Sequence, residues 1–431
     1  MAHHYWPLYP AVALMLALCA TPAAAGDDLS SCCRDLESRI EELEAVAVAK
    51  GTSLVTLEVS GHVHRALMFW NDEHVRNTYI IDPTNWGSFM QFKGEAEFEE
   101  KWEAGFLISV EYPVGESISL SQNEPSSSRA AVIGRSSWFL SHEDWGKLSL
   151  GLETEAHDHI TESDLSGTGL FAGAAVTDWN GSFFVRGPAS RKGFQDSLTW
   201  GSLSSASIGD GENATVARFE WPELNGFKAA VSWGEGGVAA MSANYSNDGE
   251  SFEIEAGMAL AHYGDALRSP CVALEPVGNC ATAAGSVSVL HKDSMVSLSG
   301  AGGVIIDDSR DGLGASPGHD YWLYAKLAQE WTLTDLGATT IYGEYFNGRH
   351  DGEITRLVTA GGGLPSAQFS ALTDVVGAGI MQSIDEAEMQ VYLAGRSYSV
   401  SGNAALGPAG QRERLQFDGF QAIMAGTRIS F

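Results

Sequence analysis

The sequence predicts an all-β fold, a 16-stranded antiparallel transmembrane β-barrel preceded by a short N-terminal coiled-coil helix. Three observations carry that expectation. Apolar and charged residues alternate with a period of two along most of the chain after Gly51. Many of these runs approach ten residues, whereas strands of soluble sandwiches average about five or six. Beyond residue 25 no apolar run approaches the length of about 20 that a spanning helix needs, so a membrane protein of this sequence must close as a barrel.

Residues 11–25 (AVALMLALCATPAAA) are a short apolar run ending in small residues, with Ala23 and Ala25 where a signal peptidase reads. Residues 1–25 are therefore expected to be a cleaved export signal, although Met1 to Pro10 contains no Lys or Arg. Leu18 before Cys19 is larger than the residue a lipidation site normally carries. Residues 26–51 predict the helix. Leu29, Cys33, Leu36, Ile40, Leu43 and Ala47 fall at alternating steps of four and three, the seam of a coiled coil, with charges on the other faces. A lone amphipathic helix packed on its own domain would give the same pattern over so few turns.

The barrel is expected over residues 52–431. In SFMQFKGEAEFE, Met90, Phe92, Gly94, Ala96 and Phe98 share one face, and Gln91, Lys93, Glu95 and Glu97 the other. The same split recurs in Phe106, Ile108, Val110 and Tyr112, in Phe227, Ala229, Val231 and Trp233, and in Phe252, Ile254, Ala256 and Met258. Aromatics such as Trp102 and Trp221 cluster at the ends of these faces, as in the girdles of membrane barrels. Strands are expected near 53–70, 88–99, 104–113, 131–141, 147–155, 214–221, 226–234, 238–246, 251–262, 284–291, 294–303, 320–331, 337–347, 374–383, 387–398 and 419–431. Short turns (EEKWEA, SHEDWGK, PELNG, NDGES, HKDS, LTDLG, SIDEA) then alternate with longer connections, the arrangement of periplasmic turns and external loops. The brief EGG connection at 235–237 is the exception. The longest connection, about 156–213, is rich in Gly and Ser and long enough to fold into a wide lumen and narrow it.

A net charge of −30, from 55 acidic and 25 basic residues, excludes nucleic acid as a natural partner. Cys271 and Cys280, in CVALEPVGNC, read as structural thiols or as a disulfide staple of a surface loop in an oxidising compartment. The adjacent Cys32 and Cys33 leave open whether they link subunits. No cofactor and no metal is expected: His157, Asp158 and His159 are adjacent residues that point different ways, with no further ligand at fixed spacing. Gly314–Gly318 matches GxSxG around Ser316, but Pro317 and the Gly-rich surroundings supply no strand-to-helix elbow.

The runs DLESRIEELEAVAVAKG, VSGHVHRALMFWND, WFLSHEDWGKLSLGLE and DLSGTGL, in that order, resemble the trimeric porins of rhizobia and related α-proteobacteria. The terminal GTRISF, with Ile429 and Phe431, is similar to the signal by which outer-membrane barrels are recognised by the assembly machinery. The segment that many of these porins carry ahead of the coiled coil, with its cysteines, has no clear match here. The resemblance implies a homotrimer of sixteen-stranded barrels in outer-membrane lipid and lipopolysaccharide, with the helix reaching towards the cell wall. It also implies that the third external loop folds inward, setting loop acids against wall bases. The loop acids would be Glu155, Asp158, Glu162 and Asp164. Alternation alone puts Lys93, Arg135, Arg218, Lys326, Arg396 and Arg428 on the lumen face as the wall bases. The function implied is passive diffusion of small hydrophilic solutes and ions, without enzymatic activity; the excess of 55 acidic over 25 basic residues adds the expectation that cations are preferred. A substrate-specific channel and a structural anchor with a plugged lumen are the alternatives, and an outer-membrane hydrolase comes last.

Overall fold

A computed structural model describes residues 55–127, 130–187, 198–206, 208–264, 280–308, 320–354, 367–406 and 411–431. The expected export signal, the coiled-coil segment with Cys32 and Cys33, Cys271 and Ser316 lie outside the described residues. Cys280 opens a strand and is disulfide-bonded.

Eighteen strand segments form one sheet. They are β1 (Thr56–Asn71), β2 (Arg76–Ile81), β3 (Phe89–Glu99), β4 (Trp102–Glu111), β5 (Val132–His142) and β6 (Gly146–Thr154). Next come β7 (Asn213–Glu220), β8 (Phe227–Gly234), β9 (Val238–Asp248), β10 (Phe252–Tyr263), β11 (Cys280–His291) and β12 (Val296–Asp308). The last six are β13 (Tyr321–Thr334), β14 (Gly337–Ile354), β15 (Ala367–Ile384), β16 (Met389–Leu406), β17 (Gln411–Gln416) and β18 (Phe420–Ser430). Every ladder is antiparallel, and β1 pairs with β18 from His62↔Ser430 to Asn71↔Gln421, which closes the ring.

The eighteen segments make sixteen staves. Along β1 the partner runs from Glu95 to Phe89 and then, after a gap, from Ile81 to Arg76, so β2 and β3 are one interrupted stave. Along β16 it runs from Ile429 to Phe420 and then from Gln416 to Gln411, so β17 and β18 are another. The sixteen expected strands correspond to these staves, but residues 76–81, expected as loop, pair with β1. β14, β15 and β16 each reach 18 residues, well past the expected ends. The EGG connection is a three-residue turn in which Gly236 and Gly237 take φ of 76° and 69°, a backbone glycine adopts without strain.

The outward face is apolar and open. Met258 (68 % exposed), Leu323 (62 %), Val376 (59 %) and Leu393 (51 %) would be buried in a soluble protein, and here they form the surface that meets lipid. Phe98, Trp145, Trp221, Phe227, Phe252 and Phe431 stand exposed at the short-turn end, where an interfacial girdle belongs. At Phe431 the backbone exchanges two hydrogen bonds with Gly61, and Ile429 lies opposite Val63 on the outward face.

Alternation fails on one side of the wall for a physical reason. In β1 Leu67 and Phe69 face lipid, while Met68 and Trp70 face inward and are also buried. The inward wall near the long-loop end packs against the loop between β6 and β7, so both faces of the strand are covered by apolar matter. Trp70, Trp322, Phe346, Tyr398 and Phe420 from the wall and Phe171, Trp179, Phe183 and Trp200 from the loop form one core inside the barrel.

Candidate pore constriction

The loop between Thr154 and Asn213 starts by pairing with its own end: Glu155 N donates to Glu212 O (3.1 Å) and Gly211 N to His157 O (3.2 Å). Its first limb lies on β8–β12, whose inward residues are small. Ser232 Oγ accepts from Ala156 N (2.8 Å), Ser286 Oγ donates to Ile160 O (2.7 Å), and Ser288 Oγ accepts from Leu165 N (3.0 Å). These hydroxyls satisfy loop backbone that would otherwise be buried unpaired. Ile160 packs on Ala259 and Ala284, and a Cβ at Gly257 would come within 2.9 Å of it.

Two buried cations hold the crossing. Lys326 Nζ donates to Asp164 Oδ2 (2.8 Å), Thr168 Oγ1 (3.1 Å) and Ala172 O (2.8 Å). Arg396 grips Glu344 with Nε (2.7 Å) and Nη2 (2.9 Å), donates to Gly173 O (2.9 Å), and lies 4.8 Å from the Trp179 ring centroid. Tyr398 adds a bond to Val176 O (2.8 Å). Charge-assisted bonds of this kind are strong, and each cation is matched by one buried carboxylate. At the far side Gln122 clasps the Phe184 backbone in both directions, each bond 2.8 Å, and Arg186 Nε reaches Asp72 Oδ2 at 3.0 Å. The return limb is fixed by Ser205 Oγ to Tyr321 O (2.9 Å) and by Trp322 Nε1 to Ile208 O (2.9 Å).

Opposite the first limb, the gap between β2 and β3 supplies a second inward projection. Pro83 lacks the N–H a ladder needs, and the chain makes a short 3₁₀ turn over Thr84–Trp86. Ser88 Oγ replaces the lost ladder by bonding both His64 N (2.9 Å) and His64 O (3.1 Å). Trp86 thus enters the lumen, its carbonyl accepting from His64 Nδ1 (2.8 Å) and its ring 5.6 Å from the Arg428 guanidinium. A cavity of about 240 Å³ lies between the two projections, lined among others by Trp86, Glu162, Asp164, Ser299, Lys326 and Arg428. Arg428 Nε and Asn85 Oδ1 are buried at its edge without a hydrogen-bond partner among the described residues.

Strand registers set all six wall bases on the inward face. Lys93 lies opposite Glu58, Arg135 opposite Ser109, Arg218 opposite Ser149, Lys326 opposite Ser299, Arg396 opposite Ala422 and Arg428 opposite His64. Their partners differ. Lys326 meets a loop acid, whereas Arg396 meets Glu344, Arg135 meets Glu153, Arg218 meets Glu220 and Lys93 meets Glu95, all wall residues. Among the loop acids, Asp164 sits under the crossing and Glu162 lines the cavity, while Glu155 is buried at the root beside His157 (3.8 Å). Asp158 lies 3.4 Å from His159 Nε2.

Electrostatics divide these groups. Burial would raise the Asp164 carboxyl, but Lys326 and Ser166 outweigh it and hold it below the usual range. Asp178 and Asp210 are both pushed up to about 7, first by burial and next by the Glu162 charge. Burial pushes His157 down to about 4, and its Nε2 meets the Tyr263 hydroxyl at 2.9 Å. Sequence reasoning missed Trp86 and His159 as lumen residues. IDPTNWGS carries the Pro that breaks the stave, which was the available signal for Trp86.

The sequence matches no family model and no curated protein. The fold matches that of an anion-selective porin from Comamonas acidovorans with a TM-score of 0.52 at 14% identity, covering 88% of this chain and 100% of that one. The fold is porin-like. The porin fold also matches OmpT, an outer-membrane protein of Vibrio cholerae, with a TM-score of 0.51 at 11% identity, over 89% of this chain and 100% of that one.

Proposed function

We propose that the chain is an outer-membrane porin through which small hydrophilic solutes and ions diffuse passively, kin to the trimeric α-proteobacterial porins. One observation carries this reading: a closed barrel, apolar outside, holds a loop clamped to part of its inner wall beside a charged cavity. Water retained in that gap is a path for solutes, and the opposed charges of Glu162 and Arg428 orient it. The short-turn half of the lumen is acidic, since Glu58, Glu95, Glu97, Glu103, Glu253 and Glu255 share the inward register with Lys93 and Lys147. Cation preference follows from that excess.

The trimer has support from β1. Arg65 lies on the outward face, where its ion pair with Asp82 offsets only part of the cost of setting a charged group against lipid. A neighbouring subunit over β1–β3 removes that cost. The exported chain would reach its membrane through residues 1–25 and be handed to the assembly machinery through Ile429 and Phe431. One feature favours the plugged anchor instead: the aromatic core that the loop builds inside the barrel. Proteoliposome swelling separates the two readings. The porin reading expects swelling in isotonic monosaccharide that slows as the sugar grows, and vesicles that do not swell in any sugar would leave the anchor.

A further inference from the structure

The adjacent residues His157, Asp158 and His159 do not share a job. His157 is sealed in the wall, whereas the His159 side chain is 60 % exposed to the lumen. Its backbone takes φ of 60°, a left-handed conformation in which His, like Asn and Asp, is enriched. Glu162 Oε2 meets Nδ1 at 2.8 Å and Asp158 Oδ2 lies 3.4 Å from Nε2. The ring faces Trp86 with centroids 6.3 Å apart, so it spans the gap between loop and wall. Asp158, Glu162 and Asp210 bear on it from the loop, while Arg428 and His62 lie against Trp86 on the wall side.

We propose that His159 is a specificity-determining residue of the pore, a loop-borne imidazolium that offsets the loop carboxylates at the narrow passage and so sets how strongly cations are preferred. The inference rests on the porin reading and adds the group that tunes it. The Glu162 hydrogen bond, with Asp158 and Asp210 behind it, pushes the imidazole up to about 9, so it is charged at neutral pH. Deprotonation leaves Glu162 and Asp158 opposed only from the wall, where Arg428 lines the cavity, and cation preference rises with pH.

The test is the reversal potential of purified protein in a planar bilayer under a KCl gradient, for the native chain, His159→Asn and Glu162→Gln, from pH 7 to 10. Asn tolerates the left-handed backbone, and heat-modifiable electrophoretic mobility checks that each barrel is folded. At pH 7 His159→Asn should raise the cation-to-anion permeability ratio about fivefold, because one charge about 8 Å away in an aqueous lumen acts about two- to threefold on each ion and in opposite senses on cation and anion. The native ratio should climb towards that of the variant as pH rises through about 9, and Glu162→Gln should move this climb to lower pH. Conductance with an unaltered ratio in His159→Asn, or a rise through about pH 9, above the range where Asp178 and Asp210 ionise, that survives the substitution, overturns the proposal and leaves the pore reading intact. A folded native barrel that never conducts overturns both.

Discussion

Lys326 and Asp164 form the only wall-to-loop ion pair among the described sites of the predicted wall bases, and both side chains are more than nine-tenths buried. A buried pair contributes little in sum, but removal of one partner strands the other charge away from water, at about 3–5 kcal/mol. Lys326→Met is therefore expected to loosen the loop crossing by about that amount, and the double change Lys326→Met with Asp164→Asn to recover most of it. Protease nicking of the loop, measured against denaturant, reports both. A pH effect belongs to the same scale. His159 binds its proton more tightly in the docked loop than its ordinary value of 6.5 would allow, so its contribution is complete below pH 6.5 and is lost as pH rises through about 9. The Asp178 and Asp210 carboxyls, both raised to about 7, have largely ionised before that loss is complete. Protection factors of residues 158–164, that is, exchange corrected for the base-catalysed rise of the intrinsic rate, should fall between pH 7 and 9 in the native chain and stay level in His159→Asn. The sequence revealed the lumen bases because side-chain parity in a strand is fixed. It set loop acids against all of them, whereas Lys326 meets a loop acid and Arg396, Arg135, Arg218 and Lys93 pair with carboxylates of the wall itself; His159 it weighed only as a metal ligand, which it set aside.

At the level of elements, loop and wall are complementary because β8–β12 are lined with Ser, Ala and Gly. Gly303 shows how close the fit is: a Cβ there would lie 2.1 Å from Ile208 O and 2.5 Å from Trp322 Nε1. Gly303→Val should displace the return limb and increase proteolysis near Ile208 while the barrel keeps its strand content by circular dichroism. Gly300→Ala is the control, because its Cβ would meet nothing nearer than 3.6 Å. The staves were legible from period two, but where β1 meets β2 the alternation is lost, since VSGHVHRALMFWND, the sequence of β1, ends in the unbroken apolar run Ala66–Trp70. That run is apolar on both faces because lipid covers one and the loop the other. The same cause hid the core, which belongs to a loop whose aromatics Phe171, Trp179, Phe183 and Trp200 follow no strand or helix period.

For the whole molecule, inside and outside are reversed relative to a soluble protein, and substitutions should respond by face. Leu260, outward and 49 % exposed, should resist replacement by Arg at about 2–4 kcal/mol near mid-depth, read as lost folding into lipid vesicles. Ser242, inward with an Oγ that has no hydrogen-bond partner among the described residues, should accept Ala with no measurable loss. Two faces of one sheet would then obey opposite rules, as a lipid-embedded ring around water requires. The most direct test of that arrangement is single-channel recording of the purified, folded chain in a planar bilayer. An open passage beside the docked loop predicts discrete conductance steps that grow with salt concentration and enlarge in Lys326→Met as the loop loosens. A bilayer that stays electrically silent while holding correctly folded protein would mean that the loop seals the lumen.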